Sequence, residues 1–478
     1  MELEPLKHNK SMLEIKPLKL SKVMKVMKVS IIYFSILIIL YLGISMYFST
    51  HFYFGSIING INASGKSVAK LDKAMLSKSE IYTLELRERN GVIEYITAAD
   101  INLKYNAKDK IKNLKDSQNS FKWISAFFNP KASEINDIVT YDEKLLKKCF
   151  EKLSCFDSKK IIEPQNASFK YSGESYVIII EVKGNKIYSE QLYKNVVKSI
   201  LNRETSINLE TTNSYFNPQY TSSSKEVINT KKLLNKYITS KIIYTFNGGK
   251  SVLDGYIIHN WLGVKEDLSI SFDEDKINNY VNELANNYNT YGKEREFVTS
   301  LGTTVRINGG NYGWLVDRKG EVKDLIVAIK QGQKIKREPR YIQTAVSHNV
   351  NDIGSSYVEI NMTKQHLWFY KNGFLIVQGD IVTGNVSMNY ATPTGVYKLQ
   401  YKQKNATLKG EGYSVPVNVF MPFNGGIGIH DASWRKNKFG GNIYLKEGSH
   451  GCINSPPNVA KAIFDNIDAN TAVICYLQ

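Results

Sequence analysis

The chain has 478 residues, more than one ordinary hydrophobic core accommodates, so we expect about three domains. Its formal net charge of +17, from 62 basic and 45 acidic residues, suits a polyanionic partner such as nucleic acid, anionic lipid or an acidic polymer. Because the sequence contains no helix-turn-helix, zinc-finger or RNA-binding motif, we expect no nucleic-acid partner. Four cysteines in a chain of this length do not make a disulfide framework.

The N-terminus combines a basic segment, residues 1–28, with an uncharged and almost wholly apolar segment, residues 29–48. About 20 apolar residues are enough for a helix to cross the hydrocarbon core of a membrane. Lysines precede this segment closely, whereas no Lys or Arg follows it until Lys66, so the positive-inside rule places residues 1–28 in the cytoplasm and the rest outside. The alternative is a cleaved signal peptide, but the run is long and no A-x-A site follows. We therefore predict a single-pass signal-anchor helix.

The middle of the chain shows a weak internal repeat. An Asp-Glu pair precedes an amphipathic helix at Asp142 and again at Asp273, and a second amphipathic helix follows at Ser189 and at Glu321. Matching features are roughly 130 residues apart, which indicates duplicated α+β modules. We assign these modules to residues 49–222 and 223–340 and expect no catalytic residue in them. A polar linker, residues 341–356, follows.

Residues 357–478 have the pattern of a mostly-β domain. Two apolar stretches, 365–370 and 374–382, flank the turn sequence Lys371-Asn-Gly and predict a hairpin. One helix is expected at residues 457–466, and a last strand at 471–477. The predicted fold class is therefore multidomain: an N-terminal transmembrane helix, two α+β modules and a C-terminal mostly-β domain closed on itself.

The candidate chemistry lies near the C-terminus. Cys452 follows His450 and Gly451, and His430 lies about twenty residues upstream. A cysteine thiolate is a strong nucleophile, and an imidazole that takes its proton becomes a general acid. We predict Cys452 as the nucleophile and His430 as the general acid and base, with Asp431 or a nearby carbonyl orienting its ring. The backbone N–H groups of residues 450–452 are candidate oxyanion donors, because Gly451 allows close approach of the main chain.

The neighbouring residues receive supporting roles. His450 is too close in sequence to Cys452 to act comfortably as its base, so we expect it to shape the oxyanion site or to bind substrate. Ser449 and Asn454 are expected to hold the loop through side-chain bonds to the backbone. Trp434 and Arg435 are candidates for contacting substrate, or they instead pin the loop before Ser449.

We expect neither a metal nor a cofactor. The sequence has no C-x-x-C and no H-E-x-x-H motif, and a zinc site built from His430, His450 and Cys452 lacks an acidic fourth ligand. Cys149 and Cys155 are six residues apart, which is not a helical contact spacing, so we expect them to be unpaired. Cys475, in an apolar run, is predicted to be a buried strand residue.

Three stretches of the C-terminal region together resemble the signature of the L,D-transpeptidase (YkuD-type) catalytic domain: Thr392-Pro-Thr-Gly-Val-Tyr, Gly426–Arg435 with His430, and Ser449–Asn454. The second module, with Gly309-Gly-Asn-Tyr-Gly-Trp and Arg337-Glu-Pro, resembles the peptidoglycan-binding module found beside such enzymes, and the first module matches more loosely. The resemblance implies that peptidoglycan stem peptides are the partners. It also implies acyl transfer from a tetrapeptide stem, cleaved after its third residue, to a side-chain amine of a neighbouring stem (a 3→3 cross-link).

Two competing functions stay open at this point. An L,D-carboxypeptidase would use the same nucleophile and pass the acyl group to water. A non-catalytic, membrane-anchored wall-binding protein would carry a decayed catalytic domain. In each case the expected location is the bacterial cell membrane, with a cytoplasmic N-terminus and the catalytic domain outside. Anionic wall polymers are a further hypothesis for what the positive charge binds.

Overall fold

The structure is a computed structural model that describes residues 20–246, 249–348, 351–410, 412–436 and 438–478. The helices are α1 (Leu20–Thr50), α2 (Val68–Glu80), α3 (Lys108–Asp116), α4 (Trp123–Phe128), α5 (Glu143–Phe150), α6 (Ser189–Asn202), α7 (Lys225–Ile238), α8 (Gly255–Ile258), α9 (Glu274–Tyr288), α10 (Arg318–Gln331), α11 (Tyr444–Glu447) and α12 (Pro457–Asn466). Short 3-10 helices are Arg89–Gly91, Ser120–Lys122, Ser154–Phe156, His259–Trp261 and Ser433–Arg435.

The strands before residue 350 are β1 (Ile57–Ile58), β2 (Ile61–Asn62), β3 (Thr83–Arg87), β4 (Ile93–Thr97), β5 (Lys104–Tyr105), β6 (Ala132–Ser133), β7 (Val139–Thr140), β8 (Ser168–Tyr171), β9 (Tyr176–Ile179), β10 (Ser206–Asn208), β11 (Lys241–Phe246), β12 (Gly249–Leu253), β13 (Leu262–Val264), β14 (Ile270–Phe272), β15 (Arg295–Val298), β16 (Thr304–Ile307), β17 (Leu315–Val316), β18 (Lys334–Arg337) and β19 (Tyr341–Gln343). Those after it are β20 (Tyr357–Asn361), β21 (His366–Lys371), β22 (Phe374–Asp380), β23 (Gly395–Lys398), β24 (Gln403–Gly410), β25 (Tyr413–Asn424), β26 (Ile427–Asp431), β27 (Ile453–Ser455) and β28 (Ala472–Tyr476).

The chain forms two compact units. The N-terminal unit runs to Asn166 and includes Glu181–Gln219, and the C-terminal unit comprises Ala167–Ile180 and Tyr220–Gln478. The predicted boundary between modules, 222/223, lies close to the junction at residue 220. The hairpin β8–β9 differs from the prediction, which placed it in the first module. Tyr176 of this hairpin joins the core of the second module, and its N–H donates to Asn235 Oδ1 at 2.7 Å.

The N-terminal unit begins with the long helix α1, whose apolar side chains are largely exposed. Its length and composition are sufficient to cross a membrane over Lys22–Thr50. Residues 1–19 of the predicted basic segment lie outside the described residues. Farther along, α2 and α3 pack around Leu71, Met75 and Ile111, which are fully buried.

A second core of the N-terminal unit lies on the sheet β10-β3-β4, against α5 and α6. Asp142 begins α5 as predicted, because its carboxylate accepts hydrogen bonds from the N–H groups of Lys144 and Leu145. Cys155 is buried in this core, Cys149 is partly buried, and both thiols are free, which confirms that prediction.

In the C-terminal unit, the second of the two predicted modules packs α7, α9 and α10 against the sheet β12-β11-β18. Asp273 begins α9 as predicted, with its carboxylate accepting from the N–H of Lys276. A buried polar network joins the sheet to α10. The Glu321 side chain, 0% exposed, accepts from Tyr244 Oη, from both terminal nitrogens of Arg337 and from the N–H of Arg340. This network ties two strands and a helix together.

The C-terminal domain consists of two sheets and the helix α12. The five-stranded sheet has the order β22-β21-β20-β28-β23, and the four-stranded sheet has the order β24-β25-β26-β27. Their facing side chains share one core with α12, whose apolar residues Val459, Ala460, Ile463 and Phe464 lie on one face. The predicted helix 457–466 is confirmed. So is the hairpin β21–β22, whose turn residues Asn372 and Gly373 both have positive φ.

The second module and the C-terminal domain share a small core of their own. Phe297 and Tyr312 pack with Val396 and Ile474 of the five-stranded sheet. Backbone bonds reinforce the contact, because Tyr312 N–H donates to the Val396 carbonyl at 3.1 Å. The glycine-rich loop that resembled a module signature therefore pairs with the edge strand β23.

Candidate active site

His430 lies on β26, and Cys452 directly precedes the neighbouring parallel strand β27. In the ladder between β26 and β27, Ile429 pairs with Ile453 and His430 with Asn454. Since side chains alternate along a strand, the fully buried Ile429 and Ile453 face the core. His430 and Asn454 therefore face the opposite side. Cys452 packs against a small cluster that includes Phe420, and the ring of Phe420 lies 6.5 Å from that of His430. The fold thus brings the predicted nucleophile and its predicted base to the same part of the sheet.

Both groups are held in a desolvated environment. Burial raises the pKa of the Cys452 thiol, and a hydrogen bond from the N–H of Gly428 only partly offsets this. Its Sγ donates to the carbonyl of Gly426 at 3.6 Å. Burial also lowers the pKa of His430, against a smaller opposing effect of its bond to the Asp431 carbonyl. These directions favour a neutral thiol beside a neutral imidazole, and not a preformed thiolate–imidazolium pair.

The pH dependence of alkylation tests this protonation state. With a raised thiol pKa, labelling of Cys452 by iodoacetamide should increase about tenfold per pH unit from neutral to moderately alkaline pH, as the thiolate fraction does. Peptide mapping by mass spectrometry measures the rate at each cysteine. Cys475 is fully buried, with a raised pKa, and is the internal control that should label far more slowly. A rate at Cys452 that is flat from acidic pH upward would instead show a preformed ion pair.

His430 is oriented by the main chain. Its Nδ1 lies 2.9 Å from the backbone carbonyl of Asp431, which fixes Nδ1 as the protonated nitrogen and leaves Nε2 free to accept a proton. The Asp431 carboxylate points elsewhere: it accepts from the Val419 N–H and the Asn418 amide, each at 2.9 Å. Of the two predicted ways to orient the ring, the carbonyl is thus the one present. The carboxylate instead fixes β26 to β25.

The loop before Cys452 is fixed by a set of close contacts. Ser449 Oγ donates to the Cys452 carbonyl at 2.5 Å and accepts from the Gly451 N–H at 3.1 Å, so the predicted loop-holding role fits its geometry. Thr392 Oγ1 donates to the Gly451 carbonyl at 2.7 Å and accepts from the Gly384 N–H. Gly451 has φ +111°, a conformation open to glycine. Within the segment 382–392, Gly384 and Thr392 therefore hold the backbone of Gly451, the residue before the cysteine, in position.

Gly384 is the tightest point of this support. A Cβ at residue 384 would lie 1.8 Å from the carbonyl oxygen of Tyr390 and 2.9 Å from the Cα of Gly451. We expect Gly384→Ala to lower the free energy of unfolding by about 3 kcal/mol, the upper end for an overpacked site, and to change the labelling rate of Cys452. Chemical denaturation and alkylation measure the two effects.

Gly426→Ala is the matched control for this substitution. Gly426 also lies beside Cys452, but its Cβ would meet no atom within 4 Å. Its effect on unfolding should therefore be much smaller. Equal destabilisation by the two substitutions would contradict a specific role of the Gly384 contact.

The ring of His450 lies close to two aromatic rings. The rings of Tyr390 and Tyr413 are each 4.6 Å from its own, centroid to centroid. His450 is exposed, and Tyr413 belongs to the hairpin β24–β25. Tyr390, Tyr413 and Thr392 were not predicted as site residues from the sequence. The signal available in the sequence was the presence of tyrosines in or next to polar loops. This signal does not specify which histidine they contact.

Arg435 and Trp434 hold the segment between the two strands. Arg435 Nη2 donates to the Glu447 carbonyl at 3.0 Å and to Asn454 Oδ1 at 3.4 Å. The Trp434 ring, 45% exposed, lies 5.8 Å from that of His430 in a stacked arrangement. Of the two predicted alternatives, pinning the loop is the one for which Arg435 has contacts. Arg435 thus bonds to the side chain of Asn454, and the partly exposed ring of Trp434 lies beside the ring of His430.

One group of metal-ligand type occurs among the described residues, and it is not at this site. Glu88, Glu94 and Cys155 of the N-terminal unit offer three atoms within 4.8 Å of one another. Both Glu94 oxygens already accept backbone N–H groups, at Ser154 and Cys155. Burial raises the pKa of the Cys155 thiol, and burial with the neighbouring Glu94 raises the pKa of Glu88 to about 8. Protonated groups of this kind are poor metal ligands.

Comparisons with known proteins identify the families to which parts of the chain are similar. Residues 355–475 match the family of L,D-transpeptidase catalytic domains (YkuD). Residues 95–208 and 220–336 each match the family described as "Putative peptidoglycan binding domain". The comparison with curated proteins gave no match.

Solved structures of L,D-transpeptidases are similar in sequence. A mutant of the Enterococcus faecium L,D-transpeptidase is 32% identical over 53% of this chain and 100% of that one, with a TM-score of 0.44. The catalytic domain of the E. faecium enzyme is 40% identical over 25% of this chain and 96% of that one, with a TM-score of 0.24. The same domain acylated by ertapenem is also 40% identical, over 26% and 98%, with a TM-score of 0.24. Because the 32% identity covers the whole of a solved E. faecium L,D-transpeptidase chain, this chain belongs to the L,D-transpeptidase family.

Proposed function

We propose that the protein is a membrane-anchored peptidoglycan L,D-transpeptidase in which Cys452 is the nucleophile. The observation that carries the proposal is the position of Cys452 directly before β27, the strand that pairs in parallel with the strand of His430. The matches to a catalytic family and to a peptidoglycan-binding family are a second, independent support for it. The substrate, a stem peptide, comes from the family resemblance.

In the first half-reaction, the thiol loses its proton to Nε2 of His430 as sulfur attacks the amide carbonyl after the third stem residue. The hydrogen bond from Nδ1 to the Asp431 carbonyl stabilises the imidazolium that forms. The tetrahedral intermediate collapses when His430 returns the proton to the departing amine. The fourth residue leaves, and the third residue remains bound to Cys452 as a thioester.

The negative charge on the attacked oxygen needs donors that are already in place. Of the three N–H groups predicted for this role, the one of Gly451 is occupied by Ser449 Oγ. We therefore assign the oxyanion donors to the N–H groups of His450 and Cys452. Gly451 contributes the backbone conformation that lets the loop present them.

In the second half-reaction, the side-chain amine of a neighbouring stem attacks the thioester, loses a proton to His430 and releases the free thiol. The new amide is a 3→3 cross-link. The carboxypeptidase alternative differs only in that water takes the place of the amine. The helix α1 is proposed to anchor the protein in the bacterial membrane with its N-terminus in the cytoplasm, so that the wall-binding modules and the active site are outside.

Muropeptide analysis with the full-length protein in detergent tests the proposal. Disaccharide-tetrapeptides should be converted to cross-linked dimers, and Cys452→Ala should make none. Tripeptides without dimers would establish the carboxypeptidase, and no turnover with either variant would favour the wall-binding alternative. Because the related E. faecium domain is acylated by ertapenem, the same reagent should add its mass to this protein. The adduct should be absent from Cys452→Ala.

A further inference from the structure

The segment Ser120–Phe128, here called the aromatic segment, exposes an unusual amount of apolar surface. It forms a 3-10 turn followed by α4. Phe121 is 56% exposed, Ile124 47%, Phe127 58% and Phe128 79%. These residues follow the helical spacing i, i+3, i+6 and i+7, so they share one outward face. Soluble surfaces rarely present so contiguous an apolar stripe, which indicates an apolar partner.

The aromatic segment lies against α1. The ring of Trp123 is 6.0 Å from that of Tyr41 and 6.2 Å from that of Phe48, both on α1. The Tyr41 hydroxyl donates to the backbone carbonyl of Phe121 at 2.7 Å. The contact thus reaches well down the apolar helix and is not confined to its outer end.

Helix geometry gives the depth of this contact. Tyr41 precedes Phe48, the last residue of the uncharged run, by seven residues, or about 10 Å along the helix axis at 1.5 Å per residue. If the run spans the membrane, the Tyr41 contact lies below the outer edge of the hydrocarbon core. Interfacial amphipathic helices bury their apolar face about 5–10 Å into this boundary.

We propose that the aromatic segment is a second membrane-contacting element, whose exposed face is covered by the acyl chains of the outer leaflet. This inference rests on the proposed membrane anchor, because α1 determines the depth. The occupant is lipid and not a protein, since the segment packs directly on the helix that is proposed to span the membrane. A second copy of the chain covering the same face is the alternative outcome of the test.

The polar groups of the segment fit this location. A carbonyl in contact with lipid has no water to bond, and the Tyr41 hydroxyl supplies the partner for the Phe121 carbonyl. Lys122 within the segment and Lys131 just after it are exposed, where anionic headgroups would attract them. Two attachments, a spanning helix and an interfacial segment, would restrict the tilt of the first module relative to the membrane more than one helix alone.

Quenching of tryptophan fluorescence by brominated acyl chains tests the inference. The full-length protein is reconstituted in phosphatidylglycerol vesicles with and without bromine on the chains. Trp123 should be quenched, and Trp123→Phe should remove that part of the quenching. Adding Phe128→Trp to this background should restore quenching, because residue 128 is at the exposed face. The matched control is Phe374→Trp in the same background, at a position 75% exposed on β22, where bromine should have no effect.

The possible results separate the inference from the anchor on which it rests. Quenching equal for Phe128→Trp and Phe374→Trp, or absent for both, would overturn the inference. Quenching absent together with a cross-link between copies at residue 128 would assign the face to a second chain. A protein that leaves the vesicles on an alkaline wash would overturn the anchor as well. Retention after the wash without quenching would overturn only the aromatic segment's role.

Discussion

Replacing His430 by glutamine should slow acylation of Cys452 about 10²- to 10⁴-fold, the range for loss of a positioned general base. Glutamine can still donate to the Asp431 carbonyl but cannot accept the thiol proton, and the raised pKa of Cys452 leaves few thiolates at neutral pH. Mass spectrometry of the ertapenem adduct against time gives the rate.

The pH dependence separates loss of the base from loss of structure. As pH rises toward the thiol pKa, Cys452 ionises without help, so the difference between the native protein and His430→Gln should narrow. A difference that stays constant with pH would show that the substitution damages the site and does not remove a base. His366→Gln is the control, because His366 contacts Asp380 on β22 and should leave the rate unchanged.

Replacing Arg337 by methionine should destabilise the C-terminal unit by about 3–5 kcal/mol, the cost of leaving a buried charge without its partner. Glu321 is 0% exposed and would keep only the hydrogen bonds from Tyr244 and from the Arg340 N–H. Chemical denaturation followed by intrinsic fluorescence gives the change in free energy.

Arg340→Met is the matched control for this prediction. The Arg340 side chain is 55% exposed and pairs with Asp317 and Asp324 at the surface, while its backbone contact with Glu321 survives the substitution. Exposed pairs contribute about 0–1 kcal/mol. Similar effects of Arg337→Met and Arg340→Met would show that the buried network contributes little, as would a small effect of both.

The sequence predicted those features that depend on neighbouring residues. Asp142 and Asp273 begin helices because their carboxylates bond N–H groups two or three residues on, and Asn372-Gly373 turns a hairpin because both accept positive φ. The functional association of His430 with Cys452 was expected from a family signature, in which the spacing of the motifs already reflects the fold.

Features that depend on distant residues were not predictable in this way. Tyr390 and Tyr413 are 60 and 37 positions from His450 in the chain, and only the folded domain brings them to its ring. The protonation state of Cys452 depends on burial, which is a property of the assembled domain. Likewise, the choice of the Asp431 carbonyl over its carboxylate depends on the position of β25.

The hairpin β8–β9 has a practical consequence for dividing this protein. Because residues 167–180 belong to the C-terminal unit while 181–219 return to the N-terminal unit, no single cut yields both units whole. An expression fragment beginning at residue 220 would lack Tyr176 from its core and would expose the apolar surface that this ring covers. A fragment ending at residue 219 would carry the hairpin β8–β9 without the core of the second module that Tyr176 joins, and the exposed hairpin would be prone to aggregation. Joining residues 167–180 to 220–478 through a flexible linker would give a C-terminal fragment with its core complete.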